Sequence, residues 1–175
     1  MALTIKRIGF GQVEPNHLSA QRTGQIYAQL PANKDITVLE NGQFAKYDYA
    51  KGEVNFDGEG EFMLVFNEVK LYDDAWRESY KDFALQAINF TEEVMTPRLF
   101  KTNVGDIFTT NCIGLGNTDK KATVEYSEAL TVGDYLNVED GYLVKGSADA
   151  EMVWKVVKEY TMADGQPAVK IQRVK

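Results

Sequence analysis

Tyr135-Leu-Asn-Val-Glu-Asp-Gly-Tyr-Leu-Val-Lys145 has the pattern of a β-hairpin. Two strand-like runs flank Asp140-Gly141, and an Asp-Gly pair readily takes the positive φ angles of a tight hairpin turn. Residues 152–160 then predict a longer strand, which turns at 163–166 and returns over 168–174. The C-terminal part of the chain therefore predicts an antiparallel sheet.

The same pattern extends towards the N-terminus. Asn41-Gly42 is a second hairpin signal. Residues 62–66 are apolar throughout, which is typical of a strand that is buried on both faces. Further strands are predicted at 24–30, 35–39, 44–49, 54–56, 97–103, 107–113 and 123–126. Turn signals at short, even spacing with little helix predict a mainly β fold, an antiparallel β barrel or sandwich.

One short helix is expected within this β framework. After Asp73-Asp74, which supplies a helix cap, apolar residues recur at helical spacing. These residues are Trp76, Tyr80, Phe83, Ala84 and Ala87. The helix would cover one open end of the barrel.

Residues 1–22 predict an extended N-terminal arm, and residues 23–175 the mainly β body. Glycine and proline interrupt any regular element in the arm. Its apolar residues would dock on the body or on a neighbour; a terminal strand of the protein's own sheet is the alternative. They are Leu3, Ile5, Ile8, Phe10 and Val13.

Two parts of the sequence are weakly similar to each other, which is one sign of two related β lobes. Residues 41–46, followed by a strand from Glu61, resemble residues 140–145, followed by a strand from Glu151. Two related sub-lobes, 23–95 and 96–175, would explain this similarity. The general similarity of hairpin sequences explains it equally, and we favour that explanation.

The composition of the chain limits the kinds of partner that it can bind. The chain has 175 residues and a net charge of −7, and an acidic surface repels phosphate, so no nucleic acid partner is expected. No apolar run approaches the ~20 residues of a membrane helix, and the N-terminus lacks the apolar core of a signal peptide. We expect a soluble protein that is made in the cytoplasm and has no membrane partner.

The sequence contains only weak motifs for catalysis or metal binding. His17 is the single histidine and lies in no recognisable triad sequence, and Cys112 is the single cysteine. The acidic run 53–61 resembles a calcium loop, but Leu64 stands where that loop requires a bidentate glutamate, so a hairpin turn is predicted. With 26 acidic residues, carboxylate pairs arise by chance. The sequence predicts no catalytic residue, no cofactor and no metal site, and therefore no enzyme.

Aromatic residues offer one other kind of site. A cluster in the sequence could stack on sugar rings, or could form core and helix contacts, which we favour. The cluster comprises Tyr47, Tyr49, Tyr72, Trp76 and Tyr80.

Two C-terminal segments carry a resemblance to known proteins. Residues 130–145 and 154–170, with the series Val-Gly-Asp, Asp-Gly-Tyr-Leu and Lys-Glu-Tyr-Thr-Met-Ala-Asp-Gly-Gln, resemble small β proteins of tailed-phage structural modules. Residues 97–111 are similar to proteins encoded beside phage major capsid genes, and the turn at 39–44 is similar to head-decoration sequences. About half of the chain takes part in the resemblance.

This resemblance implies a head decoration, or cement, protein of a tailed bacteriophage: a minor capsid protein that stabilises the assembled shell. Its partners would be the major capsid protein and copies of itself. It would be made in the host bacterial cytoplasm, reside on the capsid surface of the virion, and need no cofactor or catalysis.

The apolar arm supplies the candidate capsid contacts, which are Ile5, Ile8, Phe10 and Val13. Other virion β proteins remain as alternatives: a tail-tube protein with residues 114–121 as its stacking loop, a head–tail joining protein, or a fibre-base component. A carbohydrate-binding module and a small hydrolase are the remaining alternatives.

Overall fold

The computed structural model describes residues 3–5, 11, 13–14, 26–36, 38–67, 84–86, 95–114, 124–126, 130–163 and 165–175. Within these ranges every regular element is a β-strand, and all paired strands are antiparallel. The predicted mainly β, antiparallel fold is confirmed. Its sheets pack as in a sandwich and do not close into a barrel.

Fourteen strands occur in the described residues. They are β1 (Leu3–Ile5), β2 (Val13–Glu14), β3 (Val38–Glu40), β4 (Phe44–Asp48), β5 (Glu53–Asn55), β6 (Met63–Val65), β7 (Ala84–Gln86), β8 (Leu99–Phe100), β9 (Ile107–Thr110), β10 (Val124–Tyr126), β11 (Tyr135–Glu139), β12 (Tyr142–Gly146), β13 (Val153–Thr161) and β14 (Pro167–Arg173).

The larger sheet has six strands in the order β12-β11-β13-β14-β9-β2. Its first hairpin turns at Asp140-Gly141, where both residues have positive φ, 47° and 81°, as the sequence predicts. The longer β13–β14 hairpin is closed by the Met162 N–H, which donates to the Gln166 carbonyl at 2.8 Å. Both hairpins form because their turn residues favour the required backbone angles locally.

The smaller sheet has four strands in the order β5-β4-β6-β8. Along β4, β6 and β8, successive residues belong to two different cores, because successive side chains point to opposite faces. One core includes Phe44, Leu64 and Phe100, and the other includes Ala45, Met63 and Leu99. The prediction that the apolar run 62–66 is buried on both faces is therefore confirmed.

Three aromatic rings join the two sheets. The ring centroids of Phe108 and Trp154 lie 5.0 Å apart in an edge-to-face arrangement, and Phe44 of the smaller sheet lies 5.6 Å from Trp154. All three side chains are fully buried. Buried aromatic contacts of this kind add to the area term, so this cluster fixes how the sheets sit on each other.

Short parallel bridges cover parts of the sheet edges. At β5, Ala32 bridges Val54, and the Asn33 N–H donates to the Val54 carbonyl at 2.8 Å. At β12, Ile113 bridges Leu143 in the same way. Covered edges cannot template pairing with another chain at those positions.

The predicted helix is wrong at its C-terminal end. Ala84 lies in β7, which pairs with β3, whereas the remaining residues of the predicted helix lie outside the described ranges. Apolar spacing over so short a segment does not separate helix from strand. Here the backbone groups of β3 provide hydrogen-bond partners that local spacing cannot reveal.

The described part of the predicted arm pairs with the body. β1 pairs with β10, and β2 forms the last strand of the larger sheet beside β9. At these residues the chain follows the terminal-strand alternative. The segment between the two strands, which holds Ile8 and Phe10, lies outside the described residues.

Candidate functional site: a lysine-bearing sheet face

The larger sheet packs one face into the main core and directs the other away from it. Trp154 and Val156 of β13 point into the core, so Lys155 between them points outward. Its neighbours across the strands share that orientation, because antiparallel partners lie on one face. The resulting outer row is Tyr135, Lys155, Gln172 and Ile107.

A second outer row brings two lysines together. Lys158 lies directly opposite Lys170, and both belong to the same face as Lys155. Directly opposed like charges destabilise a sheet by a few tenths of a kcal/mol up to about 1 kcal/mol. Within the described ranges no carboxylate lies within ion-pair distance of either ammonium group. We call Lys155, Lys158 and Lys170 the lysine face.

A β-bulge places Lys158 on this face. The register of β13 against β14 shifts between Val156 and Lys158, so Val157 is an extra residue in β13. Without the bulge, residue 158 would follow Val156 onto the core side, because side chains alternate with a period of two. The bulge therefore turns a lysine outward to stand beside Lys170.

Lys155 has an aromatic neighbour on the outer face. Its ammonium nitrogen lies 5.7 Å from the ring centroid of Tyr135, within range of a cation–π interaction. Tyr135 is half-buried, and Gln172 flanks the lysine on the other side. This lysine thus stands between two neighbours on the outer face.

An open cavity of about 440 Å³ lies at the end of the lysine face. The β13–β14 hairpin lines it with residues 158–161 and 167–169, and Leu130 completes the wall. Next to it, a hydrogen bond to the Glu14 carboxylate raises the pKa of the Tyr160 phenol. The lysine face therefore ends in a concave region whose lining includes one cation, Lys158, and one carboxylate, Glu159.

The sequence-predicted capsid contacts are not brought together on one surface of the described chain. Val13 is half-buried and packs against the main core. The backbone of Ile5 pairs with Val124 in a separate two-stranded sheet. Ile8 and Phe10 lie outside the described residues, so their role as contacts stays a prediction.

The weaker chemical candidates of the sequence are engaged in structural contacts. The Glu53 carboxylate accepts from the Asn33 amide at 2.8 Å, and Glu61 pairs with Lys101 at 3.1 Å. No group of three potential metal ligands occurs in the described part of the chain. Cys112 is buried, and His17 lies outside the described residues.

Of the aromatic cluster that offered a sugar platform as the less favoured alternative, one exposed ring lies among the described residues. Tyr49 is 63% exposed and stacks at 5.5 Å on Tyr47, which is buried. Burial raises the pKa of the Tyr47 phenol, whose hydroxyl donates to the Ala28 carbonyl. Tyr72, Trp76 and Tyr80 lie outside the described residues.

A buried polar seam joins the β11–β12 hairpin to the 40–43 turn, and sequence reasoning missed it. The Tyr142 hydroxyl donates to the Glu40 carboxylate at 2.7 Å, and the Glu40 N–H donates to the Gln43 side-chain carbonyl. The Asn41 side-chain amide donates to the Asn67 carbonyl and accepts from the Asn67 N–H. These contacts lock the 40–43 turn, whose polar sequence gave a signal for the turn but none for its burial.

Comparisons with known proteins return nothing: no family, curated protein or solved structure matches this chain. Among the described residues, no helix has the length and apolar character that crossing a bilayer requires.

Proposed function

We propose that this chain is a structural protein of a tailed-phage head, and that it binds the outside of the assembled major capsid protein through the lysine face. The observation that carries the proposal is the opposed pair Lys158–Lys170. The sequence resemblance to phage head proteins supplies the partner. The face supplies the surface through which the partner would be held.

The charge of the lysine face differs from that of the chain as a whole. The whole chain carries −7, yet three lysines gather on one sheet face without a carboxylate from the described residues pairing with Lys158 or Lys170. Such an arrangement gives nothing to folding, because opposed like charges repel. It favours a partner whose surface is acidic, since complementary charge steers association and fixes orientation.

The strands that carry the lysine face are packed against the main core. Lys155, Lys158 and Lys170 stand on strands whose opposite face forms the main core with Trp154 and Ile171. The backbone of a contact that is presented from a packed sheet loses little conformational entropy on binding, which raises affinity for a given area. A protein that reinforces a shell needs this kind of stiff attachment.

The test is co-sedimentation with DNA-free capsids of the phage that encodes the chain. The chain should bind, with affinity that falls as salt rises, because the contact is electrostatic. Lys158→Glu and Lys170→Glu should each weaken binding about tenfold or more, as expected for loss and reversal of a contact charge. Lys34→Glu, the same charge change in an exposed turn elsewhere, is the matched control and should bind as the parent does.

Four outcomes would contradict the proposal. The parent chain could fail to bind capsids, its binding could be insensitive to both lysine reversals, or Lys34→Glu could weaken it as much as Lys158→Glu. Preferential binding to double-stranded DNA over capsids would also overturn it, because the lysine face would then serve phosphate.

A further inference from the structure

Two turns of the larger sheet have the same construction. Residues 103–106 are Asn-Val-Gly-Asp and residues 131–134 are Thr-Val-Gly-Asp. In each, the aspartate N–H donates back to the carbonyl of the first residue, at 3.0 and 3.1 Å. In each, the aspartate carboxylate accepts from the N–H of the first residue, at 2.7 and 2.9 Å.

The two turns also dock on the sheet in the same way. The Gly105 N–H donates to the Arg173 carbonyl, and the Arg173 N–H donates to the Asp106 carbonyl. The Gly133 N–H and the Asp134 carbonyl make the same pair of bonds with Val156. The equivalence therefore covers the neighbouring strands as well as the turns.

Strand register shows that the equivalence is a local twofold symmetry. In the row Tyr135–Lys155–Gln172–Ile107, a rotation about an axis between Lys155 and Gln172 exchanges β11 with β9 and β13 with β14. Successive pairs obey it: Leu136 with Trp154 matches Phe108 with Ile171, and Asn137 with Val153 matches Thr109 with Lys170. The axis passes through the lysine face.

The second residue of each turn is an exposed valine. Val104 is 66% exposed and Val132 is 62% exposed, which makes them two of the five exposed large apolar residues of the described chain. The turn requires Gly105 and Gly133, whose φ angles are 98° and 105°, but it accepts most residues at the valine position. Turn geometry therefore does not require a valine at either position.

A further valine stands near each turn. Arg173, which is bonded to Gly105, precedes Val174, and Val156, which is bonded to Gly133, precedes Val157. Val174 is 38% exposed, and Val157 is half-buried. The sheet thus presents the same small apolar group at two symmetry-related ends.

We propose that the turns at 103–106 and 131–134 are equivalent contact points for two neighbouring copies of one partner, the major capsid protein, each copy offering a shallow apolar depression to one valine. The inference rests on the proposed function and deepens it. With strands ~4.8 Å apart and a rise of ~3.3 Å per residue, the two glycines lie ~20 Å apart. One small pocket cannot hold both valines, whereas two adjacent copies of a repeating shell protein present the same pocket twice.

Two tethered contacts make a quantitative prediction. When both ends bind, each contact raises the effective concentration for the other, so each single loss weakens binding by a similar factor and the double loss by about the product. Exposed valines contribute modestly, so Val104→Ser and Val132→Ser should each weaken capsid binding about tenfold. The double variant should lose about 100-fold.

The experiment measures co-sedimentation of the full chain with DNA-free capsids for the parent, both single variants, the double variant and Tyr49→Ser. Tyr49 is 63% exposed outside the two turns, so its variant controls for loss of any exposed apolar side chain. Melting temperatures should stay within about 2 °C of the parent, because exposed turn positions seldom affect stability. Similar single losses, a multiplicative double loss and a silent control support the inference.

Other results overturn it. Loss at one turn only, no loss at either turn, or an equal loss with Tyr49→Ser would each do so. If the parent binds capsids and Lys158→Glu weakens that binding while the valine variants do not, the proposed function stands and this inference alone fails. If the parent does not bind capsids, both fail.

Discussion

The two faces of the β13–β14 hairpin carry opposite kinds of side chain. On the inner face Trp154, Val156 and Ile171 are fully buried against the smaller sheet. On the outer face Lys155, Lys158 and Lys170 repeat one sign of charge. The inner face packs against its own chain, whereas on the outer face no carboxylate of the described residues pairs with Lys158 or Lys170. We therefore assign folding to the inner face and binding to the outer one.

The largest expected effect is on the inner face. Trp154→Ala should lower the free energy of unfolding by about 3–5 kcal/mol, because it removes the ring between Phe44 and Phe108 and leaves a cavity. Lys155→Ala, one residue along the same strand, should change it by less than about 0.5 kcal/mol. Urea unfolding checks both, and similar losses for the two variants would contradict the division between the faces.

The next largest effect on stability is expected in the buried polar seam at residues 40–43. Gly42→Ala should cost about 2–3 kcal/mol, because φ is +94° there and an added Cβ would lie 2.5 Å from the Cys112 Cβ. Gly52→Ala, with φ of +70° and open space around it, isolates the backbone strain and should cost only about 1 kcal/mol. Chemical unfolding of both variants measures the difference, and equal costs would mean that the close approach at Gly42 relaxes freely.

The turns at 103–106 and 131–134 predict a smaller effect on the free energy of unfolding, and this effect depends on pH. The Thr131 N–H and the Lys145 ammonium group hold the pKa of the Asp134 carboxyl below its ordinary value. Because the folded pKa is lowered, this stabilisation is present above the ordinary, unfolded pKa and disappears as pH falls through the folded one. Asp134→Asn should cost about 1 kcal/mol at neutral pH, the scale of one partly exposed hydrogen bond.

Unfolding curves at neutral and acidic pH check this prediction. The difference in the free energy of unfolding between the parent and Asp134→Asn should become smaller on acidification, since protonation removes the same charge from the parent. Asp106→Asn should show a comparable loss at neutral pH if the two turns are equivalent, and Asp149→Asn, in an exposed loop, should show none. A difference that becomes larger at low pH would count against the assignment.

The smallest expected effect has the opposite sign. Lys158→Glu should stabilise the fold by about 0.2–1 kcal/mol, because an opposed like-charge pair becomes an attractive one with Lys170. The gain should shrink in high salt. Thermal unfolding at low and high salt checks it, and a destabilised Lys158→Glu would mean that this lysine supports the fold.

Local signals in the sequence predicted much of the fold. The Asp140-Gly141 and 163–166 hairpins follow from turn residues that favour the required angles on their own. The apolar run 62–66 predicted its two-sided burial because alternation was absent. Each of these features depends on residues close together in the chain.

The remaining features depend on contacts between distant residues. The β3–β7 pairing and the Glu40–Tyr142 bond join segments whose meeting no local pattern encodes. The strands that carry the lysine face were predicted, but its composition was not. The extra residue Val157 reverses the direction of Lys158, and strict alternation from Val156 would have placed that lysine in the core.

Capsid co-sedimentation of the parent and Lys158→Glu, run beside their thermal unfolding, tests the division of labour between the two faces most directly. We predict that Lys158→Glu is at least as stable as the parent and yet binds DNA-free capsids about tenfold or more weakly, as reversal of a contact charge implies. A variant that is equally stable and binds capsids as tightly as the parent would contradict the assignment of the lysine face to binding.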